Sequence, residues 1–215
     1  MSQNLQEFGD YIQGFVSDRV TSHALVNGEL TLHSSVTHII DLLTFLRDDE
    51  NCQFSQLMDV TAIDYPNRPE RFEVVYNLLS LTKNRRIRIK VPVEEGLGIP
   101  SACEVYPSAN WFEREVWDMY GVFFMYHPDL RRILTDYGFE GHPQRKDFPL
   151  TGYVEMRYDE DQKRVVYEPV KLNQAYRNFD FLSPWEGTDY LDKAPPPAAP
   201  PPAAPAAPAA DKKAS

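Results

Sequence analysis

The sequence predicts an α+β protein. Helices packed on a mixed or antiparallel sheet occupy residues 1–125, a long extended arm with a hairpin follows over 126–193, and an Ala/Pro-rich tail covers 194–215. Three observations carry this. Segments 71–80 and 85–91 alternate apolar and polar side chains around a short turn, the mark of a half-buried hairpin. Three other segments repeat apolar residues at helical spacing. Residues 127–187 are dense in aromatic residues and arginine but are broken by Pro128, Pro143, Pro149, Pro169 and Pro184, which no long helix can pass.

Leu5, Phe8, Ile12 and Phe15 or Val16 place an amphipathic helix over 3–17. Asn27-Gly28, between HALV and ELTLH, marks a two-residue hairpin turn. Ser34 or Ser35 stands where it can cap a helix with Ile39, Ile40, Leu42, Leu43 and Leu46 on one face. A strand follows from Leu57 to Tyr65, ended by Pro66 and the turn-rich Asn67-Arg68-Pro69. The hairpin 71–80/85–91 turns at Thr82-Lys83-Asn84. In its second strand Ile87, Ile89 and Val91 face one side, and Arg86, Arg88 and Lys90 the other; this basic row reads as a solvated sheet face. A loop with Gly96, Gly98 and Pro100 leads to Asn110, which with Glu113 resembles a capping box. The helix WFEREVWDMY, 111–120, stops at Gly121. Phe112, Val116, Met119 and Tyr120 line one side of it, and Arg114 and Asp118 are spaced to pair.

The arm has the wrong composition for disorder, which is poor in aromatic and branched residues. Tyr, Trp and Arg dominate interface energetics, so the arm is expected to be ordered by another protein's surface. Within it, GYVEMRY and KRVVYE flank residues 159–162 and read as a hairpin, a marginal structure unless it lies on something. Trp185, in SPWEG, is expected at an interface, Trp117 equally in core or interface. The Ala/Pro tail reads as semi-extended.

Formal net charge is −10, with ten acids and two bases in residues 1–64. Such a chain lacks the electrostatic footprint of nucleic-acid binding, and this weighs against an RNA-binding α+β module. It also lacks a basic patch for anionic membranes. Cys52 and Cys103 have no metal-ligand spacing and are expected to be inert thiols. With no signal peptide and no run of roughly 20 apolar residues, a soluble chain in a reducing compartment is expected.

Glu113, Glu115 and Asp118 lie close enough for paired-carboxylate chemistry, but a structural role suits them better. His127 and His142 lack the H-x-x-x-H or cysteine partners of a metal site, and His127 is expected to bond backbone or a carboxylate. No nucleophile elbow, phosphate loop, dinucleotide fingerprint or iron–sulfur cysteine set is present. Arg131-Arg132 and Arg145-Lys146 sit beside Asp129, Asp136 and Asp147, which favours ion pairing across a protein–protein surface over anion binding. The competing functional reading is a stand-alone hydrolase using Glu113, Asp118 or His127.

EREVWDMYGV (113–122), HPDLRRILTDYGFEGHPQRKDFPLTGY (127–153) and the later DFLSPWEG resemble the C subunit of NADH-quinone oxidoreductase, the 30 kDa subunit family of respiratory complex I. The resemblance spans about residues 5–187. Its signature positions fall on Glu113, Arg114, Glu115, Asp118, Tyr120, Gly121, His127, Arg131, Ile133 and Leu134, with Arg132, Asp136, Tyr137, Arg145, Phe148 and Trp185 joining them as expected partner-interface residues. The resemblance implies a non-catalytic subunit of a proton-translocating enzyme, with no catalytic, cofactor or metal residues of its own. FMN, iron–sulfur clusters and quinone are then expected on other subunits. It implies packing against the D subunit near the quinone pocket, contacts with other peripheral-arm subunits, and membrane contact only through the complex. The expected place is the cytoplasmic face of the bacterial inner membrane, or the matrix side of the mitochondrial one. The Ala/Pro tail is no part of the family pattern.

Overall fold

The computed structural model describes residues 2–174, with side chains from residue 5. Trp185 and the Ala/Pro tail lie outside the described residues. Chain contacts divide the protein into two units, Met1–Lys171 and Leu172–Ser215, and every element below belongs to the first. The boundary expected near residue 125 falls inside that first unit.

The elements are α1 (Ser2–Phe15), β1 (Val20–Val26), β2 (Glu29–Ser34), α2 (Ile39–Asp48), β3 (Gln56–Asp64), β4 (Phe72–Ser80), β5 (Arg85–Val93), β6 (Gly98–Pro100), α3 (Ala109–Tyr120), β7 (Phe123–Met125), β8 (Val154–Asp159) and β9 (Arg164–Pro169). The predicted α+β class holds, and the sheet is mixed. Its order is β1-β2-β5-β4-β3, antiparallel except for the parallel pair β2–β5. Asn27 and Gly28 both take positive φ, 52° and 81°, as the predicted hairpin turn requires.

Register explains the core. Leu32, Ile89, Tyr76 and Val60 stand opposite one another across four strands, and Leu30, Ile87, Leu78 and Leu57 form the next row. This face joins Phe8 and Ile12 of α1, Ile39, Leu42, Leu43 and Leu46 of α2, and Ala109 and Val116 of α3 in one buried cluster. Val16, rather than Phe15, completes the stripe of the first helix; Phe15 is exposed. The other sheet face is polar, as the basic row predicted. There Arg88 pairs with Glu29 at 2.7 Å and Lys90 with Glu73 at 2.7 Å.

Two cap predictions fail. The first residue of α2 follows His38, with no side-chain cap. Ser34 instead donates to the Arg19 carbonyl and Ser35 bonds Thr37, because a turn separates both serines from the helix. Helix α3 follows Ser108, again without a side-chain cap; Asn110 already lies inside the helix and Glu113 points into the core. The helix end is as predicted: Gly121 is left-handed (φ 77°) and its N–H closes on the Trp117 carbonyl. Two short parallel strands, β6 and β7, were invisible in the sequence and brace the segments before and after α3. The predicted hairpin in the arm is present as β8–β9.

Candidate functional site

Helix α3 is the element on which the predicted signature residues converge, and it uses them to hold chain on both sides. Glu113 is fully buried and pins the loop before the helix. Its carboxylate accepts from Ser101 Oγ at 2.6 Å, the Ala102 N–H at 2.7 Å and Cys103 Sγ at 3.6 Å. Burial pushes its pKa up against the pull of those three donors.

Asp118, also fully buried, pins the arm. One oxygen accepts the N–H groups of Ile133, Leu134 and Thr135 at 2.8–3.0 Å; the other accepts Thr135 Oγ1 at 2.6 Å and Arg132 Nη1 at 2.9 Å. Burial alone would raise this carboxyl, but the Thr135, Leu134 and Ile133 donors outweigh it and hold the pKa well below the usual range. The predicted Arg114–Asp118 pair is therefore not formed. Arg114 turns to the Arg131 and Arg132 carbonyls at 3.1 and 3.2 Å, because the arm offers both helix residues partners that water would otherwise supply.

The C-terminal end of α3 completes the latch. Its last carbonyls have no intrahelical partner, and a buried helix end needs substitutes. The arm supplies them: His142 Nδ1 donates to the Asp118 carbonyl at 2.9 Å, the Gln144 N–H to Met119 at 3.1 Å, and Arg145 Nε to Tyr120. Arg145 is a cation at a helix C-terminus, where the macrodipole favours it. A Cβ on Gly121 would collide with Arg145 Nη2 and lie 2.6 Å from His142 Nε2, so only glycine admits the arm here. Burial, with Arg145 and Arg132 nearby, lowers the His142 pKa.

A second tether ties the arm to the sheet. Asp64, buried at the end of β3, accepts two bonds from Arg71 and the Lys146 N–H at 2.8 Å. Arg71 also reaches Glu95 and Asp147, and Arg145 reaches Glu95 at 2.7 Å. Arg71 holds the Asp64 pKa down, with a smaller contribution from Lys146. Arg131 pairs with Asp129 on the surface. Arg131, Arg132 and Arg145 thus each have an acidic partner within the chain, while Lys146 contributes its backbone N–H. The sequence missed Ser101, Asp64, Arg71 and Glu95 because their partners are distant in the chain and leave no local pattern.

The expectation that the arm cannot satisfy itself needs dividing. Its backbone from 127 to 148 finds many polar partners in its own chain; of its apolar side chains Leu130 packs against the core, but many of the others stay exposed. Tyr126 is 90% exposed, Tyr137 99% and Leu150 84%. Leu134, Tyr153, Met156, Tyr158 and Tyr167 are exposed too, and so is Glu115 on the helix. Tyr120 and Phe148 are half-buried; Phe148 packs between the rings of Phe139 and Tyr153. Trp111 is exposed and Trp117 packs against the core.

Cys103, Glu113 and His127 place one donor atom each within 4.8 Å of one another, a metal-capable trio that local spacing could not show. The His127 ring is already committed. Its Nδ1 accepts the Asp129 N–H, so Nε2 carries the proton and donates to the Asn110 carbonyl at 3.1 Å. Burial raises the Cys103 pKa to about 11, so the thiol is no nucleophile. Both cysteines are free. Glu113 and Asp118 are engaged in separate structural networks, and the hydrolase reading finds no support in them.

What fold and site define is an α+β protein in which one helix holds an extended arm against itself. The chain belongs to the family described as respiratory-chain NADH dehydrogenase, 30 Kd subunit, which it matches over residues 32–154. It is 61% identical to the C subunit of NADH-quinone oxidoreductase from Rhizobium rhizogenes over 191 residues, covering 89% of this chain and 96% of that one. The same subunit from Parvibaculum lavamentivorans is 60% identical over the same shares. A chain from the structure of the membrane-bound sulfane sulfur reductase, an archaeal respiratory membrane complex, shares the fold with a TM-score of 0.59 and 24% identity, covering 75% of this chain and 98% of that one. Among the described residues no helix is long and apolar enough to cross a membrane.

Proposed function

We propose that this chain is a cofactor-free structural subunit in the peripheral arm of proton-translocating NADH:quinone oxidoreductase, and that its extended arm packs against the D subunit near the quinone site. On this reading FMN, iron–sulfur clusters and quinone sit on other subunits, which these side chains help to hold in place. Membrane contact is made only through the complex, on the cytoplasmic face of the bacterial inner membrane. The family membership and the names of the relatives support the complex. The observation that carries the structural role is the division within the arm: its backbone is fixed by α3 while Leu134, Tyr137, Leu150 and Tyr153 face outward. Large apolar side chains presented on a fixed frame are what a stable interface, of about 2,000 Å² or more, requires.

The test is a mild-detergent membrane extract in which the chains that co-purify with this one are identified. The D subunit and other peripheral-arm subunits are expected. Arg131→Ala and Tyr137→Ala are expected to lower the yield of assembled complex without changing turnover per assembled complex, because both side chains are exposed and neither touches a reacting group. Normal assembly with lost quinone reduction would overturn the scaffold role.

A further inference from the structure

The arm also carries a groove of about 760 Å³ between the loop 136–140 and the β8–β9 hairpin. It is a framed feature. The Tyr167 hydroxyl donates to Asp136 across it, and Phe148 braces one side through ring contacts with Phe139 at 5.9 Å and Tyr153 at 5.5 Å. Tyr153, Val154, Met156 and Tyr167 give it apolar walls. The charged groups lining it are all of one sign, with no lysine, arginine or histidine among the described lining residues: Asp136, which also accepts the Tyr137 N–H, Glu140, and Glu155, whose carboxylate accepts the Lys171 N–H at 3.3 Å on the hairpin's other face. Glu140 has no ion-pair or hydrogen-bond partner among the described residues, unlike the arm's basic side chains Arg132 and Arg145. A pocket of this size takes one or two large side chains. An acid-lined, aromatic-walled pocket selects a cation with an apolar stem, which arginine and lysine both offer.

We propose that this groove receives a basic segment of a neighbouring subunit, one arginine or lysine flanked by apolar residues, with the cation set beside Glu140. The proposal rests on the assembly reading above and adds the partner's chemistry to it. Charge complementarity across the groove would fix the register of the arm on that partner, as opposite potentials do at other interfaces.

The experiment uses the whole complex. A photo-cross-linking residue in place of Met156 is expected to capture a peptide of another subunit with a lysine or arginine within a few positions of the linked site. Capture of this chain's own residues beyond 174, of a second copy, or of lipid would overturn the proposal. Glu140→Lys is expected to lower retention of the chain in the complex about tenfold at about 0.15 M salt, since like charges facing each other repel strongly. Glu140→Gln is expected to have a smaller effect and to flatten the salt dependence. If charge reversal leaves retention unchanged while Arg131→Ala reduces it, the basic-segment proposal fails and the assembly reading stands. If the unaltered chain brings down no other subunit, both fall together.

Discussion

The domain before residue 126 and the arm after it are held by different physics. In the first, a sheet face and three helices bury one continuous apolar cluster, and the polar side faces water. In the second, residues 127–148 are positioned by carboxylates, guanidinium groups and helix-end carbonyls, with Leu130 on the core and Leu134 and Tyr137 exposed. The β8–β9 hairpin has almost no buried face at all. Burial stabilises the first region; directional polar contacts give the arm a place and leave much of its apolar surface exposed. The difference teaches where to look for the partner: on the outward face of the arm rather than in a cleft of the domain.

The largest effect should come from the core. Ile89→Ala removes a fully buried side chain from the central row of the sheet and is expected to destabilise the whole domain by about 2–5 kcal/mol, read from denaturant unfolding. If the core mutant loosened the arm and left the domain intact, the comparison would be broken.

Gly121→Ala and Asp118→Asn test the latch. Gly121→Ala forces a side chain into left-handed backbone and into Arg145 and His142, and is expected to destabilise by about 1–3 kcal/mol. Asp118→Asn keeps the shape but loses the charge that Arg132 and three N–H groups face; about 2 kcal/mol is expected. In both, hydrogen exchange should quicken at 131–145 with little change in the amides of β4 and β5.

Acid should loosen the arm before the core. The His142 pKa is lowered in the folded chain, so folding favours its neutral form. That contribution is intact above the ordinary value of about 6.5 and is lost as pH falls below it. Asp118, held low, keeps its contribution until pH drops below the ordinary aspartate value of about 3.9. Intrinsic-rate-corrected exchange at 142–145 should therefore rise between about pH 7 and 5, and at 133–135 only in stronger acid. The smallest effect belongs to Arg157→Ala. Its pair with Glu168 crosses an exposed hairpin, and about 0–1 kcal/mol is expected from thermal unfolding.

Much of this was legible beforehand. Alternation gave the 71–80/85–91 hairpin because one sheet face is buried and the other wet. The Asn-Gly turn and the Gly121 stop were readable because each rests on backbone freedom that a residue type carries with it. The EREVWDMYG stretch and the arm motif marked the residues that matter, but not what each one does. The capping box misled because Asn110 and Glu113 have the right spacing for a local bond, while Ser101 and Ala102 offered Glu113 a buried alternative.

The motifs pointed to the family by resemblance, and by itself the sequence determined most of the elements, β6 and β7 excepted, and the contrast between a region with a core and an arm with little of one. Those follow from periodicity, proline and residue chemistry, which act within a few positions along the chain. Only the tertiary structure decided the order of the strands and the pairing of β2 with β5. It alone decided that Asp64 would meet Lys146 and that the last carbonyls of α3 would be answered by His142, Gln144 and Arg145. A buried polar group takes whichever partner the fold brings within reach, and no local pattern records which one that is.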